Sequence, residues 1–157
     1  MERPETSDRV CDGCEIVAAR TPTPGGVILD DSHWHVTHVG APGPLVRGML
    51  VLRARRHVIH LADLTPKELE AAAALIGCLS KALRDHLNPV RLYCWFFGEG
   101  SPHAHFVLMP RFEGMPAGDP LASLTEVIVD RKHQIDWREA AETAAALRDA
   151  LHGIPAT

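Results

Sequence analysis

The sequence predicts a single α+β domain, and three stretches carry that prediction. The first is Leu64-Thr65-Pro66-Lys67-Glu68-Leu69. Thr65 suits a helix N-cap, Pro66 the first helical position and Glu68 the return half of a capping box, with Leu64 and Leu69 at the staple positions. Leu69, Ala72, Ala73, Ile76, Ser80, Leu83 and Leu87 then recur at intervals of three and four, one apolar stripe of a long helix that Asn88-Pro89 ends. The second stretch is Arg91 to Phe97, apolar or aromatic on both faces, followed by the turn Gly98-Glu99-Gly100-Ser101 and a second strand to Arg111: a hairpin. The third is Gly48 to Leu52, an apolar run suited to a central strand covered on both sides.

At 157 residues the chain is the size of one domain, with no internal repeat. A hydrophobic share of 46% and a charged share of 23% exclude a disordered or fibrous class. The net charge of −4 argues against wholesale binding to nucleic acid or anionic membrane. The longest nearly apolar stretch, Ala71 to Leu79, falls far short of the ~20 residues a bilayer needs. Met1-Glu2-Arg3-Pro4-Glu5 has no signal-peptide pattern, so the cytoplasm is the expected compartment. There the four cysteines read as thiols, buried hydrophobes or metal ligands rather than disulfides.

In chain order, residues 1–9 are polar and predict a loose arm. Cys11-Asp12-Gly13-Cys14 has the spacing of half a tetrahedral zinc site, with the glycine allowing a tight turn. A redox pair would need a preceding strand, which the polar arm does not supply; inert thiols are the remaining alternative. Glu15 to Arg20 predicts a short helix, ended by the turn at 21–26. Val27 to Leu29 and His33 to Val39 predict short strands, the three histidines of the second reading as a solvated face. Arg53-Ala54-Arg55-Arg56-His57 is a charged strand end that lies beside a candidate phosphate site. Cys78 and Cys94 read as buried packing, Glu113 to Pro120 as loop and Leu124 to Val129 as a further strand. Asp136, with Glu139 three positions on, caps a last helix that runs to His152.

The chemistry concentrates at Ser101-Pro102-His103-Ala104-His105-Phe106-Val107-Leu108-Met109-Pro110-Arg111. As a strand it places His103, His105, Val107 and Met109 on one face. Imidazoles beside an amide-rich turn suit phosphoryl or nucleotidyl transfer: the ring serves as nucleophile or base, and the amides hold anionic oxygens. Two polar residues on a half-exposed strand are the alternative.

From Cys11 to Arg111 the chain resembles the histidine-triad (HIT) superfamily. The resemblance rests on Cys11-x-x-Cys14, on the strand ending in Arg55-Arg56-His57-Val58, on the Leu64-Thr65-Pro66-x-Glu68 helix start, and on His103-Ala104-His105-Phe106-x-x-x-Pro110-Arg111. It implies an antiparallel sheet of about five strands with one long helix, assembled as a homodimer. The predicted C-terminal helix, 136–152, lies outside it. It also implies that His105 attacks the α-phosphorus of a nucleotide ester or amide, forming a nucleotidyl-histidine that water or a phosphate acceptor releases. Members with the paired cysteines bind structural zinc, a role that falls here on Cys11, Cys14, His57 and His103.

The sequence also departs from the pattern. Val107 stands where the third histidine of the triad would lie, and Met49 where many members have another histidine. Gly40-Ala41-Pro42 supplies no acid for a ribose. Losing one donor at a developing charge can cost on the order of 3 kcal/mol, so leaving groups that need no protonation are favoured. The expectation is a nucleotide hydrolase or transferase acting through His105, with Gly100, Ser101 and Arg111 on the substrate. The alternatives are a non-catalytic nucleotide-binding or regulatory module, and a metal or redox protein built on the CxxC.

Overall fold

The structure, a computed structural model, describes residues 11–40 and 42–152; the arm expected over 1–9 lies outside them. Helix α1 (Asp12–Val17) precedes strands β1 (Val27–Asp30), β2 (Trp34–His38) and β3 (Leu50–Ala54). Helix α2 (Pro66–Leu87) leads to the hairpin of β4 (Arg91–Trp95) and β5 (His105–Arg111), and helices α3 (Pro120–Leu124) and α4 (Trp137–Leu151) complete the chain. The five strands form one antiparallel sheet in the order β1-β2-β3-β5-β4. The α+β class, the five-stranded sheet, the long helix and the C-terminal helix are as expected.

Strand alternation gives the sheet two unlike faces. Trp34, Val36, Leu50, Leu52 and Leu108 pack against Leu75, Leu79 and Leu83 of α2 and Leu147 of α4. On the other face Val51, Val107 and Met109 meet Val46, Met49, Met115 and Val127, and among the described residues no long helix covers them. β3 is apolar throughout its first half because both of its faces are buried. The C-terminal helix contacts β1, β2 and α2, so it belongs to the helical face.

Helix α2 starts as the sequence dictates. Thr65 Oγ1 accepts from the Glu68 amide, and the Glu68 carboxylate accepts from the Thr65 amide at 2.7 Å. Asn88 ends it in the left-handed conformation, φ 46°. Its buried face overlaps the predicted stripe in part: Ala72, Leu83 and Leu87 are buried as expected, but Glu68, Ala71, Leu75, Leu79 and Ala82 join them and Leu69 is 39% exposed. Two contacts turn residue 68 inward. The Trp34 indole N–H donates to the Glu68 carbonyl at 2.8 Å, and Arg56 donates to both Glu68 carboxylate oxygens.

Other expectations are corrected. Residues 124–129 are helical, not a strand: the Asp119 carboxylate accepts from the amides of Leu121 and Ala122, Pro120 sits in the first turn, and α3 runs into a π-helical turn at Thr125–Val129. The first helix spans Asp12–Val17 rather than 15–20, so the CxxC glycine is helical and not in a turn. His35 and His38 of β2 are buried instead of lying on a solvated face. Cys94 is exposed, since β4 is a sheet edge, and Cys78 is half-buried.

Arg56 hydrogen bonding holds the Glu68 carboxyl at about 2, well below the ordinary value of 4.5. A depressed folded pKa contributes stability that is present above pH 4.5 and is lost as pH falls toward 2. Glu68→Gln, which keeps the helix-start hydrogen bonds, is expected to cost about 1 kcal/mol at pH 7. Urea denaturation should show that difference closing between pH 4.5 and 2.

Candidate functional site

β5 begins at His105, so the strand alternation does not extend back to His103. The residues before β5 are held instead by the end of β3 and the segment at Val58: the Ala104 amide donates to the Val58 carbonyl and the Ala54 amide to the Ala104 carbonyl. His103 is thereby buried, 1% exposed, with its ring against α1. A Cβ added at Gly13 would lie 2.4 Å from His103 Cγ, so this close approach, not a turn, requires the glycine.

The ring faces the two thiols. Cys11 Sγ lies 3.4 Å and Cys14 Sγ 3.6 Å from His103 Nδ1, and Cys14 Sγ lies 3.3 Å from His57 Nδ1. All four donor atoms fall within 4.8 Å of one another. Tetrahedral zinc, with bonds of about 2.3 Å to sulfur and about 2.0–2.1 Å to nitrogen, needs S···N edges of roughly 3.5 Å, so the set fits that ion. His103 Nε2 lies 2.6 Å from the Ala54 carbonyl and donates to it, which leaves Nδ1 free as a ligand. The four residues singled out in the sequence come together as one cluster.

His105 sits beside a cleft of about 400 Å³ on the face that the long helices leave open. Gly100 and Ser101 line it on one side and Asp12 of α1 on another, with Val107 in its wall. His105 Nδ1 is 2.6 Å from the carbonyl of His103. That contact places the proton on Nδ1 and leaves the Nε2 lone pair unprotonated. Burial, and then the Arg53 charge, lower the ring's pKa against the pull of the carbonyl, which keeps the imidazole neutral.

The basic strand end divides into three roles. Arg55 pairs with Asp30 and Arg56 with Glu68, both away from the cleft. Arg53 lines the cleft, directly opposite His105 in the β3–β5 register, and donates to Thr37 Oγ1 at 2.9 Å. Burial brings its guanidinium down to about 10. Arg111, expected at the substrate, lies six residues along β5 from His105, roughly 20 Å on a strand. Its guanidinium faces the Met115 carbonyl, and Arg111 does not line the cleft. Sequence reasoning singles out neither Arg53 nor Asp12. Arg53 is legible as the third alternate residue of the apolar strand, whereas nothing local marks Asp12 as a cleft residue.

At the level of sequence, no family model matches the chain, and no curated protein does. The structure does have solved counterparts. A HIT-like protein from Bartonella henselae involved in cell-cycle regulation superposes with a TM-score of 0.69 at 15% identity, over 93% of this chain and 100% of that one. A zinc-bound histidine triad family protein from Mycobacterium smegmatis gives 0.68 at 20% identity, over 92% and 97%. The diadenosine triphosphate hydrolase of Plasmodium falciparum gives 0.58 at 15%, over 80% and 75%. The likeness at these identities is one of fold.

Gly13→Ala is expected to lower stability by about 2 kcal/mol through the clash with the His103 ring. Gly77→Ala, a helical position with open space around the new Cβ, should raise it by about 0.5–1 kcal/mol. Thermal unfolding of the two variants reads both signs.

Proposed function

We propose that this chain, which has the histidine-triad fold, is a nucleotide hydrolase or transferase working through a nucleotidyl-histidine at His105. The observation that carries the reading is the 2.6 Å contact that fixes the proton on His105 Nδ1 beside an open cleft. A neutral imidazole held in one tautomer is a competent nucleophile. In the first step Nε2 attacks phosphorus, an N–P bond forms and the bond to the leaving group breaks. The Ser101 hydroxyl and the amides of the Gly100 turn hold the non-bridging oxygens. Water or a second phosphate acceptor then breaks the N–P bond and returns the electron pair to Nε2. Solved counterparts that include a diadenosine triphosphate hydrolase support a nucleotide as the substrate class.

Cys11, Cys14, His57 and His103 hold structural zinc in this reading. Four protein ligands leave no open position, so the ion's part is to tie α1 to the sheet. The zinc-bound counterpart and the donor geometry support it. The homodimer and the cytoplasmic setting carry over as part of the same proposal. Among the described residues, β4 offers an unpaired sheet edge with Phe97 56% exposed beside it, and no helix is long and apolar enough to cross a membrane.

A second reading, a nucleotide-binding module without turnover, is favoured by one observation: Val107 lines the cleft and donates nothing. A panel of nucleotide phosphoramidates, nucleotide esters and dinucleoside polyphosphates separates the two. Turnover by the wild type that falls at least about a thousandfold in His105→Ala supports the enzyme, whereas calorimetric binding of nucleotide with no turnover supports the module. Metal analysis is expected to find one zinc per chain in the wild type and none in a Cys11→Ser/Cys14→Ser double variant, with light scattering on the wild-type sample reporting its dimer.

A further inference from the structure

The cleft contains a cation to which the chemistry at His105 assigns no contact with the substrate. Arg53 projects from β3 directly across from His105, on the same face as Val51 and Val107. Its one protein acceptor among the described residues is the Thr37 hydroxyl, and it has no carboxylate partner there. Arg55 and Arg56, two and three residues on, are both paired with acids. A guanidinium partly withdrawn from water without a counter-charge is costly, and that burial is what lowers its pKa. An anion seated in the cleft would repay it. Asp12, the acidic residue lining the cleft, is not within ion-pair distance of Arg53.

We propose that Arg53 stabilises the negative charge of the leaving group, restricting the site to substrates whose leaving group departs as an anion. The proposal rests on the His105 reading above. A guanidinium stays protonated at neutral pH, so it balances charge without giving up a proton. Val107, the next residue along β5 on the same face as His105, has no proton to give either. When Nε2 of His105 forms the N–P bond, the breaking bond's electron pair leaves on oxygen, as a phosphate, a nucleoside phosphate or an acidic phenolate. Arg53 offsets that charge. An amine leaving group would have to be protonated as it departs, and neither residue supplies the proton. The preferred class is therefore the phosphoanhydride or activated ester, with the phosphoramidate disfavoured.

The test compares wild type, Arg53→Met, Arg53→Lys and His105→Ala on three probes. They are a dinucleoside polyphosphate, a series of nucleoside 5′-phosphate aryl esters of graded phenol acidity, and a nucleoside 5′-phosphoramidate. The wild type is expected to cleave the anhydride and the most acidic aryl ester at least about a hundredfold faster than the phosphoramidate. Arg53→Met should lose about a hundredfold in kcat on the anhydride, with a smaller change in KM. Its rates should also depend more steeply on phenol acidity, and Arg53→Lys should recover part of both effects. Thermal unfolding of each variant identifies a folding defect, and Arg53→Lys then carries the comparison. Unchanged steepness in Arg53→Met, or a phosphoramidate cleaved as fast as the anhydride, overturns the role of Arg53 while leaving His105 in place. Equal activity of wild type and His105→Ala overturns the underlying reading instead. Should the wild type turn over none of the probes, calorimetric titration with inorganic pyrophosphate decides. Equal affinity in wild type and Arg53→Met overturns the proposal, and a loss of about tenfold or more in the variant supports an anion at this guanidinium.

Discussion

One residue, His103, is held at three points, and the site is built from those attachments. Its Nε2 donates to the Ala54 carbonyl at the end of β3, its Nδ1 faces Cys11 and Cys14, and its own carbonyl accepts from His105 Nδ1. The first contact fixes the ring tautomer, the second gathers the thiols, and the third fixes the tautomer of the next histidine. The contacts are joined by one short stretch of chain, since the thiol-facing ring and the cleft-facing one stand only two positions apart. The cluster and the cleft are therefore parts of one hydrogen-bonded assembly.

Helix α1 gives that assembly a wall. Gly13 admits the His103 ring at a distance no side chain would allow, and the same turn of helix presents Asp12 and Ile16 to the cleft. An ion bound by the two cysteines would pin the helix that walls the cleft on the open side of the sheet. β3 contributes from the opposite direction, with Val51 as floor and Arg53 as charge.

Much of this is legible in the sequence, and the reasons differ by element. The capping box at Thr65 and Glu68 and the stop at Asn88 are local chemistry, so they read correctly without knowledge of the fold. The helix face reads only in part, because Trp34 and Arg56, distant in sequence, turn residue 68 inward. The helical 124–129 segment reads as a strand because Val127, Ile128 and Val129 favour extended backbone, and the Asp119-Pro120 start upstream outweighs them. Of the four cluster residues, Cys11 and Cys14 are legible from their spacing, whereas His57 and His103 follow only from the family resemblance. Arg53 continues the alternation of the apolar strand, but it stands among three arginines, and strand pairing is what confirms that it faces the cleft while the other two face acids. Arg111 misleads because adjacency in a motif is not adjacency in space: a strand carries its far end away from its start.

The two faces of the sheet divide the molecule's work. The leucine-rich layer under α2 and α4 holds the fold, while the open side carries polar groups that a packed interior would reject. Such a partition lets the chemistry drift without endangering the scaffold. Substitutions at Val107 or Arg53 meet the cleft first, and the leucines packed under the two long helices lie on the opposite side of the sheet.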